Sequence, residues 1–509
     1  MARTRSSTCW CDRRRPCWFF RSTSWRNFRS EEQAMQRSLV VKPCPAWLAL
    51  YTALGLLASP LCGAAEGPQY QIERCCEVCP QTMLDSTYSG DLREFSKLVQ
   101  GRGDWLFRTK NDLMTQMGTT AEGYSRLEKL RDALKKKGVE LVMAYLPPRG
   151  LMNAEMLSRE SQQAFDTELS KKNYLQTIQR LRSLGIRAPD MSLLLSQKAD
   201  AKQALYFKRD PHWTSYGAEL AAQVLAEELR KSDVFKTIPS KEFISKKDKS
   251  DLKNGSLNQA FGKVCGNSYA NEYFSRFVTE PKAESADLFS DAEAPEVVLA
   301  GTSFSSPEYN FAGFLKQHAK VDVDNRSVDG GGFHSAMLQY LGSQDFQKNP
   351  PKILIWEVSS YYDMAMPLFY RQIMPMLADG CRASPASLSQ KVALRPGMNE
   401  VLVNTGDKPI RGEDYLVDIQ FSDPTIKNLH SLFWYMSGSV DDLNITRAPE
   451  VESDGRFVFN LREDAEWSGR TLLSLEIEMP ADMPAGLEVE AKICPRAHGA
   501  KAELQAQAD

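Results

Sequence analysis

Val297-Val298-Leu299-Ala300-Gly301-Thr302-Ser303-Phe304-Ser305 runs from an uncharged apolar tetrad straight into a glycine turn. A short apolar run bounded by a turn is the pattern of a strand buried on both faces. Such strands belong to parallel sheets covered by helices, and open sheets of this kind bind ligands beyond the carboxyl ends of their strands. Ser303 is therefore expected at the functional edge, with backbone N–H groups nearby for an oxyanion. The stretch lacks Gly-x-Ser-x-Gly, so the α/β-hydrolase elbow is not supported. Ser305 and Ser306 are rival nucleophiles; Ser303 is preferred because it lies nearest the strand end.

The same grammar recurs on either side. Residues 139–146 are apolar from Leu141 onward and lead into Pro147-Pro148-Arg149-Gly150. This places Arg149 at the carboxyl edge as a candidate for holding an anionic group, against the plainer reading of a salt-bridged loop arginine. Residues 353–358 form another such run, followed by Ser359-Ser360-Tyr361-Tyr362. Amphipathic helical runs lie between, with Leu127, Leu130 and Leu134 on one stripe and Leu220, Val224 and Leu225 on another. Alternating strands and helices predict an α/β domain with a mostly parallel sheet. Tyr309 and Tyr362 fall where an aromatic ring can reach the site or simply pack. The charge-rich run 231–262 is expected to be exposed.

A serine nucleophile needs a base, and the base needs an orienting acid. Lys208-Arg209-Asp210-Pro211-His212-Trp213-Thr214 supplies both, two residues apart on one extended segment ahead of a helical run. His334, behind Asp329-Gly330-Gly331-Gly332-Phe333, has no adjacent acid and is a weaker base. His318 sits in a helical pattern and reads as structural.

Residues 1–34 show no apolar period, whereas Met35 opens a secretory signal. Arg37 and Lys42 form its positive end, 46–58 its apolar core, and Gly63, Ala64 and Ala65 its small-residue cleavage site. Ser59-Pro60-Leu61 before Cys62 is a poor lipobox. The first 65 residues carry 10 of the 63 Lys and Arg and 3 of the 65 Asp and Glu. Cleavage after Ala65 thus leaves 53 against 62, a net charge of −9. That balance argues against nucleic acid as a partner and requires any acidic ligand to meet a local basic patch. Six cysteines remain, Cys75, Cys76, Cys79, Cys265, Cys381 and Cys494, which suggests disulfides in an oxidising compartment. Cys381 and Cys494 bracket the last stretch, and Cys265 needs a partner from the N-terminal cluster. No histidine or second Cys-x-x-Cys supports a metal site there.

From Cys381 the helical period gives way to short alternating strands around 400–403, 415–421, 431–436, 456–461, 472–477 and 487–493. Asn404-Thr405-Gly406-Asp407 and Ser453-Asp454-Gly455 punctuate them, a β-sandwich signature. His430, Leu432 and Trp434 share one strand face. Trp434 either packs in the core or, exposed, can stack on a sugar ring, and Lys408, Arg411, Lys427 and Arg447 are cations of the same stretch that could meet an anionic ligand. Trp467 reads as packing.

In this order and spacing, the secretory signal, Asp-Pro-His-Trp-Thr at 210–214, Gly-Thr-Ser-x-Ser at 301–305 and the cysteine-bounded β tail resemble the AlgX family of periplasmic alginate O-acetyltransferases. The resemblance runs from Met35 onward. It implies a signal peptide over 35–65, an SGNH-hydrolase-like catalytic domain over 66–380, a carbohydrate-binding module over 381–495 and a tail over 496–509, with residues 1–34 outside it. It implies that Ser303 is the nucleophile, His212 the base and Asp210 its orienter, moving acetyl groups onto mannuronate hydroxyls. It further implies the bridges Cys79–Cys265 and Cys381–Cys494, leaving Cys75 and Cys76 without a role. Arg149, Tyr309, Tyr362 and Trp434, with His430 beside it, fall in segments resembling the family's site segments. Implied partners are alginate, membrane proteins that deliver the acetyl group, and other proteins of the alginate secretion complex; no cofactor is implied. A polysaccharide acetylesterase and a non-catalytic binding scaffold are the competing expectations.

Overall fold

A parallel sheet of four strands organises the first part of the chain. The computed structural model describes residues 78–197, 203–282, 295–406 and 408–496. The signal segment, Cys75 and Cys76, and all but the first residue of 496–509 lie outside the described residues. The short strands β1 (Leu98–Gln100) and β2 (Leu106–Arg108) pair antiparallel ahead of the sheet. Helix α1 (Ala121–Lys136) starts where the Thr120 hydroxyl accepts the Gly123 N–H, and it buries Leu127, Leu130 and Leu134. Strand β3 (Glu140–Leu146) is buried at every residue after Glu140. Helices α2 (Thr167–Ser183) and α3 (Ser215–Leu229) follow.

Next come β4 (Phe243–Lys253), α4 (Ser256–Cys265) and β5 (Glu272–Pro281). The two strands form an antiparallel ribbon. The exposure expected of 231–262 holds for most of β4, whereas α4 buries Leu257, Ala260 and Phe261. A window dominated by lysines hides this apolar stripe, whose spacing is helical. Then come β6 (Val297–Ala300), α5 (Phe311–Ala319), β7 (Asp324–Asn325), α6 (Ser335–Leu341), β8 (Ile353–Ser359) and α7 (Pro367–Leu377). The sheet order is β3-β8-β6-β7, parallel throughout. Strands β3, β6 and β8 are buried almost throughout, as strands covered on both faces are, whereas the edge strand β7 is polar and half-buried.

The remaining strands are β9 (Leu388–Ala393), β10 (Gly397–Val403), β11 (Tyr415–Phe421), β12 (Asn428–Tyr435), β13 (Val440–Thr446), β14 (Arg456–Asn460), β15 (Leu472–Met479) and β16 (Glu488–Pro495). They make two antiparallel four-stranded sheets, β10-β15-β12-β13 and β14-β11-β16-β9. Along β12, Leu429, Phe433 and Tyr435 enter the core while His430, Leu432 and Trp434 point outward, as a period of two demands.

The sandwich is fastened to the α/β domain by polar ties. Arg371 of α7 donates to the Asn460 carbonyl (3.1 Å) and to Asp441 (2.8 Å). Arg456 of β14 bonds Asp418 and Asp379. A disulfide joins Cys381 to Cys494, and another joins Cys79 to Cys265 at the end of α4. Among the described residues no helix is long and apolar enough to cross a membrane.

Candidate functional site

The site begins with cross-strand register. Ala300 pairs with Trp356, so the next residue of β8, Glu357, lies beside Gly301. Glu357 is fully buried and accepts hydrogen bonds from the Thr302 amide (2.7 Å), the Thr302 hydroxyl (3.0 Å) and the Ser305 hydroxyl (3.1 Å). Burial pushes its carboxyl up to about 7, against the pull of those three donors. A Cβ on Gly301 would stand 2.7 Å from Ser305 Oγ and 2.8 Å from Glu357 Oε2, so only glycine fits the turn. Ser303 emerges from it half-buried, and its amide has no acceptor among the described residues.

The second half comes from a tight excursion between Tyr206 and Trp213, which form a bridge closed by Phe207 N–H donating to the His212 carbonyl (3.1 Å). Asp210 is buried at the tip. Its Oδ1 faces His212 Nδ1 at 2.5 Å and accepts the His212 amide at 3.1 Å, while Oδ2 accepts the Ser256 amide, at the start of α4, at 2.9 Å. Burial works against the charge, but His212, Lys253 and the Ser256 amide outweigh it and hold the Asp210 carboxyl well below the usual range. With Nδ1–H given to Asp210, His212 Nε2 is the acceptor for the Ser303 hydroxyl, 2.7 Å away. Trp213 locks the two segments together, its indole N–H donating to the Phe304 carbonyl at 2.8 Å. The imidazole lies against Phe304 and Tyr309, with ring centroids 4.7 and 5.3 Å away. The Tyr309 hydroxyl in turn bonds Lys253 Nζ (2.6 Å), which also pairs with Glu308.

The structure thus brings Asp210, His212, Ser303 and Tyr309 together. Ser305 is spent on Glu357 and fully buried, which removes it as a rival. His334 packs on Phe333 and Phe369 with its Nδ1 buried and without a partner among the described residues, and burial lowers its pKa. His318 bonds Glu219 at 3.3 Å from α5. Tyr362 packs on Phe333 and Tyr361 beside Gly332.

Arg149 requires correction. It does sit just beyond β3, but its guanidinium turns inward between Trp105 and Phe107 and donates to the carbonyls of Leu106 (2.8 Å), Phe207 and Lys208 (2.9 Å). Only 4% of it is exposed, so it steadies the segment before Asp210 instead of meeting an anion from solvent. The sandwich face departs from expectation too. Trp434 is 36% exposed, but its indole N–H donates to Glu476 (2.7 Å), and His430 is bound by Glu478 (2.7 Å) and Asp442 (2.9 Å). Burial alone would lower the pKa of His430; the two carboxylates outweigh it and raise it. Arg447 does not serve this face, for it lies over Phe457 and donates to Ser453 (2.9 Å) and the Arg456 carbonyl. Lys408 and Lys427 donate to the carbonyls of Ser387 and Pro449.

Glu357, Trp213 and Lys253 are the neighbours that sequence reasoning passed over. One signal was available for Glu357: it is the only charged residue in the otherwise apolar run 353–358, and a buried acid needs partners.

A parallel α/β sheet with Ser, His and Asp aligned at its carboxyl edge, followed by a two-sheet sandwich, defines an SGNH-hydrolase-like protein with an appended carbohydrate-binding module. Comparison with known families agrees. The model described as "SGNH hydrolase-like domain, acetyltransferase AlgX" matches residues 98–360, and that of a C-terminal carbohydrate-binding module matches 380–507. The chain belongs to the AlgX family of alginate biosynthesis proteins. The alginate biosynthesis protein AlgX of Pseudomonas aeruginosa is 49% identical over 442 residues, covering 86% of this chain and 92% of the relative. The solved structure of Pseudomonas aeruginosa AlgX superposes with a TM-score of 0.77 at 48% identity, over 82% of this chain and 100% of that one. The probable alginate O-acetylase AlgJ of Pseudomonas fluorescens is 32% identical over 274 residues, 52% of this chain and 68% of its own.

Proposed function

We propose that this protein is an O-acetyltransferase that moves acetyl groups onto mannuronate hydroxyls of alginate during its secretion through the periplasm. The observation that carries the reading is the continuous line Asp210–His212–Ser303, with 2.5 and 2.7 Å contacts. His212 Nε2 takes the Ser303 proton as Oγ attacks the carbonyl carbon of an acetyl donor. Asp210 steadies the imidazolium, and the Ser303 amide is one donor available to the oxyanion. The leaving group departs with the proton from Nε2, leaving acetyl-Ser303. A sugar hydroxyl then gives its proton to Nε2 and attacks the acyl carbon, which releases the acetylated polymer and restores the serine. Tyr309 shields one face of the imidazole, and Tyr362 packs beside Gly332 of the Gly-rich loop.

Transfer wins over hydrolysis when a sugar hydroxyl is held near the acyl-serine, and the sandwich serves that end by raising its local concentration. There Trp434 offers a ring face for stacking, with His430 beside it. Acetyl delivery by membrane-associated partners and work within the secretion complex complete the proposal. The test uses purified protein, a chromogenic acetyl ester and unacetylated polymannuronate oligomers, read by mass spectrometry for wild type and Ser303→Ala. Oligomers that gain acetyl only with wild type support the transferase. Ser303-dependent release of acetate with unmodified oligomers makes the protein an esterase. Ester turnover that ignores Ser303, or none, returns it to a binding scaffold.

A further inference from the structure

We infer that Glu357 is the positioning residue of the nucleophile turn: its carboxylate grips Thr302 and Ser305 on either side of Ser303 and so fixes where the serine hydroxyl stands. The inference rests on the reading of Ser303 as nucleophile. Three observations carry it. Glu357 spans Ser303 in sequence, taking the Thr302 amide and hydroxyl on one side and the Ser305 hydroxyl on the other. It is fully buried on a central strand, so its position is set by the sheet and not by a mobile loop. Room for it exists only because residue 301 has no side chain. A buried acid that merely filled space would cost stability with no return, since well-packed apolar residues suit such positions better.

The grip also sorts the donors of the turn. The Thr302 amide is committed to Glu357 and the Phe304 amide to Thr302 Oγ1, which leaves the Ser303 amide without an acceptor among the described residues. One carboxylate thereby directs the hydroxyl toward His212 and withdraws the neighbouring amides that would compete for the oxyanion. It acts through Thr302 and Ser305 and touches neither His212 nor the acyl carbon.

Glu357→Gln keeps the shape, but the three bonds then converge on a neutral carbonyl oxygen in the place of Oε2, and an NH2 group replaces Oε1, which accepts the Thr302 hydroxyl at 3.1 Å. With the chromogenic acetyl ester, kcat is expected to fall roughly 10- to 100-fold while KM moves less than about threefold. Labelling of Ser303 by a sulfonyl fluoride is expected to slow in parallel. Melting temperature is followed alongside, and Ser305→Ala, which removes one donor and leaves the triad alone, serves if Glu357→Gln does not fold. For that variant a fall in kcat of about three- to tenfold with unchanged melting supports the inference. Wild-type kcat and labelling in a folded Glu357→Gln, or in Ser305→Ala where that variant has to decide, overturn it. Ser303→Ala is run in the same series: if it turns over the ester at the wild-type rate, the nucleophile reading itself has failed and not the role of Glu357.

Discussion

The cleft around Ser303 and the outer face of the sandwich are both built from side chains already bonded to carboxylates, yet they differ in what surrounds the bonds. Asp210 and Glu357 are buried, and each oxygen has a donor supplied by a neighbouring backbone or hydroxyl. Glu476, Glu478 and Asp442 hold Trp434 and His430 at the surface, where water and salt compete. In low dielectric a hydrogen bond fixes geometry and is hard to replace; in water the same bond is cheap and mobile. The cleft is therefore preorganised, and the face is adjustable.

The contrast can be broken most forcefully at Asp210. Asp210→Asn keeps the shape but loses the charge that holds the His212 tautomer, and ester turnover is expected to drop roughly 10³- to 10⁴-fold with little change in KM. A loss below about tenfold in steady-state kinetics would show that the imidazole does not depend on this partner.

A smaller effect tests the buried carboxylate of Glu357 through pH. Its pKa rises from the ordinary 4.5 to about 7 in the fold, so between those values the folded chain keeps a proton that the unfolded chain has released. Stability from this group is therefore fullest below pH 4.5 and declines as pH rises toward 7, by up to about 3 kcal/mol. Urea unfolding at pH 5 and pH 7 is expected to show that slope in wild type and a flatter one in Glu357→Gln. Equal slopes would place the proton elsewhere.

The smallest effect belongs to the sandwich. A polyuronate approaching Trp434 meets Glu476, Glu478 and Asp442, so screening these charges is expected to strengthen binding. Titration calorimetry with polymannuronate oligomers at low and physiological salt should show affinity rising about two- to threefold. Affinity that falls with salt would mean that cations on another surface hold the polymer.

What could be read in the sequence follows the same division. The convergence of Ser303, His212 and Asp210 was legible because it rests on local features: an apolar run ending in a glycine turn, and an acid two residues from a histidine. The outward direction of Trp434 follows from alternation along one strand. The partners of these residues were not legible, because they arrive from far along the chain. Glu357 meets Thr302 through the register of β6 on β8, and Glu476 and Glu478 reach β12 from β15. Arg149 shows the limit most plainly. Its place after β3 was correct, but only the packed structure turns its side chain back toward Trp105, Phe107 and the carbonyls of Phe207 and Lys208.

The bond between Cys79 and Cys265 has a consequence for timing. Cys265 ends α4, and the first amide of that helix, from Ser256, holds Asp210. The orienting acid is thus braced by a helix that is itself tied down only after oxidation. On the proposed reading, in which the chain is exported and acts on the polymer beyond the membrane, a chain still in a reducing compartment possesses every reactive group but lacks this brace, so chemical competence is acquired late.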